Sequence, residues 1–140
     1  MRARRLIVSL LDSIANNSLG MAKQRERLED EDFCYLTTTG RKTGLPREIE
    51  IWFALQDKIL YMLSGGRDRS GWVRNIQKSP SVTIRIASRD FTGTARIVSA
   101  GPEDQLARRL LLRKYQPRDN SDLENWGETA LPVAVDLNEM

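Results

Sequence analysis

The stretch REIEIWFALQDKILYML, residues 47–63, decides the fold class of this chain. Over residues 47–55, apolar side chains occupy every second position from Ile49 onward, which is the period of a strand with one buried face. Three polar residues, 56–58, separate this strand from a second apolar run, residues 59–63. Two such runs joined by a short polar turn predict a β-hairpin.

Other segments extend the same pattern in both directions. Aromatic and β-branched residues are concentrated in short runs that end at glycine, proline or polar turns. These further predicted strands are residues 33–39, 81–87, 91–98 and 131–137. About six strands joined mostly by hairpins predict a mainly β domain, an antiparallel split β-barrel with peripheral helices.

Two helices are predicted between the strands. Residues 69–79 have helical apolar spacing. Pro102 is followed by two carboxylates, which favours a helix start, and the pattern runs to about Tyr115. Residues 116–130 are polar and rich in turn formers, so we predict a loop there. Pro132 predicts that the last strand lies at an edge of the sheet or that the proline stands at its start.

Composition excludes several classes of chemistry. The 140 residues contain one cysteine, Cys34, and no histidine. An internal disulfide is therefore impossible, and the chain lacks both histidine-based nucleophile systems and the commonest zinc ligand. We expect no metal site, and we expect any catalysis to depend on a bound cofactor. The net charge of +3 is too small to suggest nucleic-acid binding, but it suits an anionic small ligand.

The N-terminus predicts a separate helical extension, residues 1–21, before a barrel domain of residues 22–140. Its apolar residues follow helical spacing beside Arg2, Arg4 and Arg5. One interpretation is a helix packed on the domain; the other is a helix that contacts anionic lipid through residues 2–14. The single cysteine favours a cytoplasmic protein, with or without membrane association.

The first basic cluster is TTTGRKTGLPR, residues 37–47. Two glycines enclose Arg41, Lys42 and Thr43, and Arg47 follows. Backbone amides in glycine turns form anion-binding concavities, and arginine grips phosphate with two parallel hydrogen bonds. A solvated hairpin loop is the alternative, because basic loops are common. The glycine and lysine spacing does not match a P-loop.

The second basic cluster is SGGRDRSGWVRN, residues 64–75, where a strand runs through a glycine pair into a helix. Helix N-termini favour anions. Trp72 is either a core anchor or a wall against a planar ring, and Asn75 offers a donor and an acceptor to a ring carbonyl or imide. Arg74 either contacts the ligand or pairs with a carboxylate in residues 47–55. Together the two clusters predict one shared anionic ligand.

These clusters resemble the deazaflavin-dependent nitroreductase family, within the split β-barrel flavin-binding oxidoreductases. The resemblance rests on the block Leu-Thr-Thr-x-Gly-Arg-Lys-Thr-Gly-x-x-Arg at residues 36–47 and the Trp-Phe pair at 52–53. A glycine pair at 65–66 and Trp-x-x-Asn at 72–75 complete it. It implies coenzyme F420 as cofactor and hydride transfer to an electron-poor acceptor, such as a quinone, a nitro compound or an activated alkene.

The resemblance also implies which residues bind. Residues 41–43 and Arg47 would hold the phosphate and acidic tail, residues 64–67 the middle of the cofactor, and residues 72–76 its ring side. The full predicted cofactor set is Arg41, Lys42, Thr43, Arg47, Glu48, Ile49, Ser64, Gly65, Gly66, Arg67, Trp72, Val73, Arg74, Asn75 and Ile76. The substrate-side candidates are Trp52, Tyr115 and Trp126. No catalytic residue is assigned.

Two other functions fit the residues. One is a flavin mononucleotide (FMN) oxidoreductase of the same barrel fold, which the absorbance of the bound chromophore would distinguish. The other is a non-catalytic cofactor-binding module, which would bind without turnover. We expect a small-molecule electron acceptor as partner and no nucleic acid, and we leave a homodimer open.

Overall fold

The computed structural model describes residues 28–139. The predicted helical extension of residues 1–21 and the predicted lipid contact of residues 2–14 lie outside the described residues. The architecture below belongs to the compact unit Glu31–Met140, as far as it is described. No helix of the described part is long and apolar enough to cross a membrane.

The described part contains one antiparallel sheet of seven strands. In chain order the strands are β1 (Cys34–Thr39), β2 (Pro46–Ile51), β3 (Ala54–Gln56), β4 (Ile59–Ser64), β5 (Ser81–Ile86), β6 (Arg89–Ile97) and β7 (Leu131–Leu137). Their order across the sheet is β2-β1-β5-β6-β7-β4-β3, and each neighbouring pair is antiparallel. This confirms the predicted mainly β, antiparallel fold, with one strand more than expected.

The extra strand comes from a break in the strand predicted over residues 47–55. Only Trp52 and Phe53 separate β2 from β3, although these strands lie at opposite ends of the sheet order. Two residues span at most about 7 Å, so the two ends of the sheet must approach each other. The sheet is therefore curled into a split barrel, and the chain itself bridges its seam.

Side chains that point into the barrel form the core. In β1, Cys34, Leu36 and Thr38 are buried and alternate with partly exposed residues. β7 is buried along almost its whole length and lies between β6 and β4, so the edge position suggested by Pro132 is wrong. Pro132 stands second in the strand, where its carbonyl accepts a hydrogen bond from the Val98 amide at 3.0 Å.

Among residues 31–139, three helices accompany the sheet: α1 (Gly71–Lys78), α2 (Pro102–Tyr115) and α3 (Glu124–Thr129). Short 3-10 turns cover Arg67–Arg69 and Gln116–Arg118. Both predicted helices are confirmed. The loop predicted over residues 116–130 is wrong, because α3 lies within it.

Local contacts explain why α3 forms. The Asp122 carboxylate accepts a hydrogen bond from the Glu124 amide at 2.9 Å, which satisfies one free donor of the first turn. Gly127 allows α3 to approach α2, because a Cβ there would lie 2.6 Å from Leu112 Cδ1. The glycine that reads as a loop former in the sequence is a helix contact in the fold.

A charged network attaches the start of α2 to the sheet. Arg96 on β6 donates two hydrogen bonds to Glu103, at 2.8 and 2.9 Å, and two to Asp136, at 2.7 and 3.1 Å. Tyr61 donates a further bond to Glu103 at 2.8 Å. These bonds, chiefly from Arg96, lower the pKa of Glu103 to about 2.

Candidate functional site

The two basic clusters meet at a groove of about 300 Å³. One wall is the turn of residues 40–44, which we call the basic turn, and the other is the start of α1. The groove is lined by Thr38, Gly40, Arg41, Lys42, Thr43, Arg47, Ile49, Gly71, Trp72 and Asn75. The structure thus places seven of the predicted cofactor-binding residues around one groove: Arg41, Lys42, Thr43, Arg47, Ile49, Trp72 and Asn75.

The basic turn is built tightly around two glycines. The Gly40 amide donates to the Leu45 carbonyl and the Gly44 amide donates to the Gly40 carbonyl, both at 2.8 Å. A Cβ at Gly40 would lie 3.0 Å from Thr43 Oγ1 and 3.1 Å from the Leu45 carbonyl oxygen. Gly44 has φ +75°, which L-residues rarely adopt.

This geometry leaves donors unused. The backbone amides of Lys42 and Thr43 have no hydrogen-bond partner among residues 28–139. Consecutive free amides in a turn form the concavity that binds anions in many proteins. The basic turn therefore offers both side-chain charge and backbone donors to an anion.

Asn75 on α1 connects the helix to the basic turn. Its Oδ1 accepts from the Arg41 amide at 3.1 Å and from Arg41 Nη1 at 3.0 Å. Its Nδ2 donates to Thr38 Oγ1 at 3.0 Å. Lys78, one turn further along α1, donates to the Arg41 carbonyl at 2.9 Å. Three of these hydrogen bonds thus fix the basic turn against α1, and the fourth fixes α1 against β1.

Positive charge is concentrated in the two segments that meet at the groove, and Arg41, Lys42 and Arg47 line it. Residues 40–47 and 64–79 contain seven lysines and arginines and one acid, Asp68, whereas the whole chain has a net charge of only +3. Lys42, Arg69 and Arg74 are exposed, and none forms an ion pair within the described range. Among residues 28–139, Arg47 makes only a long contact, 3.5 Å, to Thr43 Oγ1. Lys42 and Arg47 line the groove, so their charges are available to a ligand there.

Three residues of the predicted cofactor set on α1 do not line the groove: Val73, Arg74 and Ile76. Val73 is 0% and Ile76 3% exposed, so both side chains belong to the core; their helical positions face the sheet while Trp72 and Asn75 face the groove. Neither side chain lines the groove, and a contact of either residue with a cofactor ring stays a prediction. Arg74 has no carboxylate partner among residues 28–139: Glu48 pairs with Arg85 at 3.3 Å, and Glu50 accepts from Tyr35 at 2.7 Å.

The glycine pair and its neighbours do not line the groove. Ser64 is buried, and its hydroxyl bonds to the Arg67 carbonyl and to Ser70 Oγ at 2.9 and 2.8 Å. The Arg67 guanidinium donates to the Thr129 carbonyl, and a Cβ at Gly65 would lie 3.8 Å from the Trp126 ring. This segment therefore shapes the approach to α1, and its contact with a cofactor stays a prediction.

The three substrate-side candidates form one aromatic cluster. The rings of Trp52 and Tyr115 are stacked, and Trp126 meets Trp52 edge-on with centroids 5.5 Å apart. Trp52 and Trp126 are partly exposed, whereas Tyr115 is 1% exposed. The Tyr115 hydroxyl accepts from the Phe53 amide at 3.0 Å and lies 2.8 Å from the Asp32 carbonyl, to which it donates. Tyr115 is thus a buried packing residue, and a direct substrate contact by it stays a prediction.

Sequence reasoning missed Thr38, Gly71 and Lys78 as parts of the site. Thr38 follows the inward period of β1, so its position on the strand indicated an inward side chain. Gly71 is the residue before Trp72, and Lys78 lies three residues after Asn75 on the same helical face. Their roles depend on the distance between the basic turn and α1, and no pattern in the sequence predicts that distance.

The described residues show no alternative redox or metal chemistry. Cys34 is fully buried, and burial raises the pKa of its thiol to about 12. Among residues 28–139 there is no group of three or more metal-ligating side chains. The groove is the feature of the described part that combines charge, free donors and an aromatic wall.

Comparison with known proteins supports the same fold and names a family. A family model described as F420H(2)-dependent quinone reductase matches residues 13–138. The solved structure of an F420-H2 dependent reductase, FDR-A, is 22% identical with a TM-score of 0.60, over 74% of this chain and 93% of that chain. A FAD-binding protein from Mesorhizobium loti is 12% identical with a TM-score of 0.62, over 85% and 88%.

A third structure, described as a domain-swapped dimer, is 22% identical with a TM-score of 0.60, over 85% of this chain and 98% of that chain. At these identities, the solved structures establish the fold alone. They confirm the predicted split barrel.

Proposed function

This chain belongs to the family of F420H(2)-dependent quinone reductases, and we propose that its groove holds the phosphate and acidic tail of coenzyme F420 while a quinone-type acceptor receives the hydride. Family membership makes the protein an oxidoreductase with coenzyme F420 as its cofactor, which confirms the resemblance drawn from the sequence. When bound, the reduced deazaflavin supplies the hydride; the protein supplies binding, orientation and exclusion of competing reactions.

The observation that carries the proposal is the donor set of the basic turn. Lys42 and Arg47 have no carboxylate partner among the described residues, and two unbonded backbone amides lie beside them. Unpaired cations close together repel each other, so such a cluster costs stability unless an anion neutralises it. A phosphate flanked by carboxylates matches this set in charge and in number of acceptors.

The apolar end of the groove, at Trp72 and Ile49, also suits the cofactor. Trp72 and Ile49 line it next to the charged residues, and Trp72 is partly exposed. An indole face is a favourable surface for a planar conjugated ring. We assign the ring of the cofactor to this apolar end and its anionic tail to the basic turn.

The acceptor is proposed to approach from the side of Trp52 and Trp126. Trp52 follows β2 after Ile51, and that strand also carries Arg47 and Ile49 of the groove. A planar, apolar quinone would stack on partly exposed aromatic rings more readily than a small polar acceptor. Nitro compounds and activated alkenes are alternative acceptors of the same electronic class.

Two measurements on the purified protein test this function. Titration with coenzyme F420 and with FMN, followed by fluorescence and absorbance, identifies the bound chromophore; we expect F420 to bind and FMN to bind far more weakly. Steady-state assays with the reduced cofactor then compare menadione, a nitroaromatic compound and an activated alkene, and we expect menadione to be reduced fastest.

Each other outcome supports a different function. Tight FMN binding without F420 binding would assign the barrel to the FMN oxidoreductases. Binding of F420 without turnover of any acceptor would support the non-catalytic module.

A further inference from the structure

We propose that Asn75 is a positioning residue: its side-chain amide holds Arg41 and the basic turn in the geometry that a cofactor phosphate requires. The proposal rests on the proposed function, because it concerns the same groove. It replaces the sequence-based expectation that Asn75 serves the deazaflavin ring.

The side-chain amide of Asn75 is buried, and both lone pairs of its oxygen are used. Asn75 is 5% exposed, and a buried polar group must find partners inside the protein. A side-chain carbonyl oxygen has two lone pairs. Both are used, by the amide and by Nη1 of Arg41, while Nδ2 is bonded to Thr38, which is itself 2% exposed.

A hydrogen bond from the cofactor ring to Oδ1 of Asn75 would disrupt these bonds. A ring N–H that donated to Asn75 Oδ1 would have to displace one of the two donors of Arg41. Removing a partner from a buried polar group costs more than forming one new bond gains. The local hydrogen-bond pattern therefore favours an amide that faces the basic turn.

Hydrogen bonds hold the backbone of Arg41 and one side of its guanidinium. Its amide and Nη1 are bound by Asn75, its carbonyl accepts from Lys78, and Nη1 also lies 3.4 Å from the Gly71 carbonyl. Its Nε and Nη2 have no partner within residues 28–139. One side of the guanidinium is thus fixed, and the other side remains available to an anion.

A guanidinium fixed before binding loses less conformational entropy when the ligand arrives. The same bonds hold the neighbouring amides of Lys42 and Thr43 in place. Asn75 consequently acts on the anion through Arg41 and the turn backbone, without touching the ligand itself.

The experiment compares two ligands that share a ring but differ in charge. Coenzyme F420 carries the phosphate and acidic tail, whereas its tail-free chromophore has the same deazaflavin ring and ribityl chain without them. Asn75→Leu keeps the approximate shape of the side chain and removes every hydrogen bond. Gln77→Ala, an exposed change on the same helix, is the matched control.

We expect Asn75→Leu to raise the dissociation constant of F420 at least tenfold and that of the tail-free chromophore less than twofold. Gln77→Ala should change neither. Equal weakening of both ligands would overturn the proposal, because it would indicate a ring contact or a general loss of structure. Unchanged F420 affinity would overturn it as well.

A second variant covers the case in which Asn75→Leu does not fold. Thr38→Val removes only the partner of Nδ2, and we expect it to weaken F420 about threefold while sparing the tail-free ligand. Equal effects on both would again contradict the proposal.

A measurement made without ligand tests this inference independently of the proposed function. Exchange of the Arg41 amide hydrogen should accelerate at least tenfold in the variants relative to Gln77→Ala, because its acceptor is lost or loosened. If the wild-type protein bound no F420, the proposed function would fail, and this exchange rate alone would decide whether Asn75 fixes the turn. An unchanged rate would refute that role.

Discussion

The indole ring of Trp52 stacks on the phenol ring of Tyr115, with centroids 4.3 Å apart and planes inclined by 4°. Trp52 lies in the two-residue connection between the two edge strands of the sheet, and Tyr115 ends α2. The amide of the next residue, Phe53, donates to the hydroxyl of the same tyrosine at 3.0 Å, and the Phe53 carbonyl oxygen lies 3.1 Å from that hydroxyl. The seam of the barrel is therefore fixed by α2.

Tyr115→Phe tests this role of the tyrosine. The change keeps the stacked ring but leaves the buried amide of Phe53 without its acceptor, which costs about 1–3 kcal/mol. We expect the free energy of unfolding, measured by urea denaturation, to fall by that amount while turnover per folded molecule changes little. Lost turnover at unchanged stability would instead make Tyr115 a substrate contact.

Gly40→Ala tests the geometry of the basic turn. The new methyl group would lie 3.0 to 3.3 Å from atoms of Thr43, Leu45 and Arg47, so these residues must shift slightly and the turn is distorted. We expect F420 affinity, measured by fluorescence titration, to fall at least fivefold. Gly65→Ala is the packing control, because its methyl group would meet only Trp126, at an ordinary 3.8 Å; it should keep the thermal stability of the wild type. An unchanged affinity in Gly40→Ala would show that the turn tolerates this distortion.

The Arg96–Glu103 pair predicts acid lability. Because the pKa of Glu103 is lowered from 4.5 to about 2 in the folded state, its contribution to stability is present above about pH 4.5 and is lost as the pH falls toward 2. Denaturation midpoints measured from pH 6 to pH 2 should therefore fall more steeply for the wild type than for Glu103→Gln.

Glu124→Gln is the control for this pH dependence, since the Glu124 side chain forms no hydrogen bond or ion pair in the part of the chain described. It should retain the slope of the wild type. Identical slopes for all three proteins would remove Glu103 from the account of acid lability.

Cys34 should be unreactive in the folded protein. Its side chain is fully buried, so a reagent cannot reach the sulfur. Its thiol pKa is raised to about 12, so the reactive thiolate does not form at pH 8. We expect alkylation by iodoacetamide, followed by mass spectrometry, to be negligible in buffer and complete in denaturant. Rapid alkylation of the folded protein would show that β1 opens locally.

Most of the fold could be predicted from the sequence because the strands follow a period of two and the turns contain their usual residues. The break at Trp52 and Phe53 could not, because Phe53 continues the apolar alternation of β2. What interrupts the strand is the contact of these two residues with α2, which is remote in sequence. The helix α3 was missed for a similar reason, since Gly127 serves a tertiary contact.

The groove could be predicted in outline because charge and glycine mark both of its walls. Which residues of α1 face the groove and which face the core could not be predicted completely. Trp72 and Asn75 face the groove, whereas Val73 and Ile76 face the core, as the helical period requires once the buried face is known. Asn75 can bind the basic turn because two segments more than thirty residues apart in the sequence lie close together in the fold. Sequence patterns do not predict how close such segments lie.

The most direct test of the central claim is the affinity of coenzyme F420 for the double variant Lys42→Ala/Arg47→Ala. The double variant Arg109→Ala/Arg113→Ala removes the same charge from the exposed face of α2 and serves as its control. The account predicts that the first variant binds F420 more than tenfold more weakly than the wild type, with an unchanged melting temperature, while the second binds normally. Equal affinities for all three proteins would contradict it, because the cofactor would then lie outside the groove.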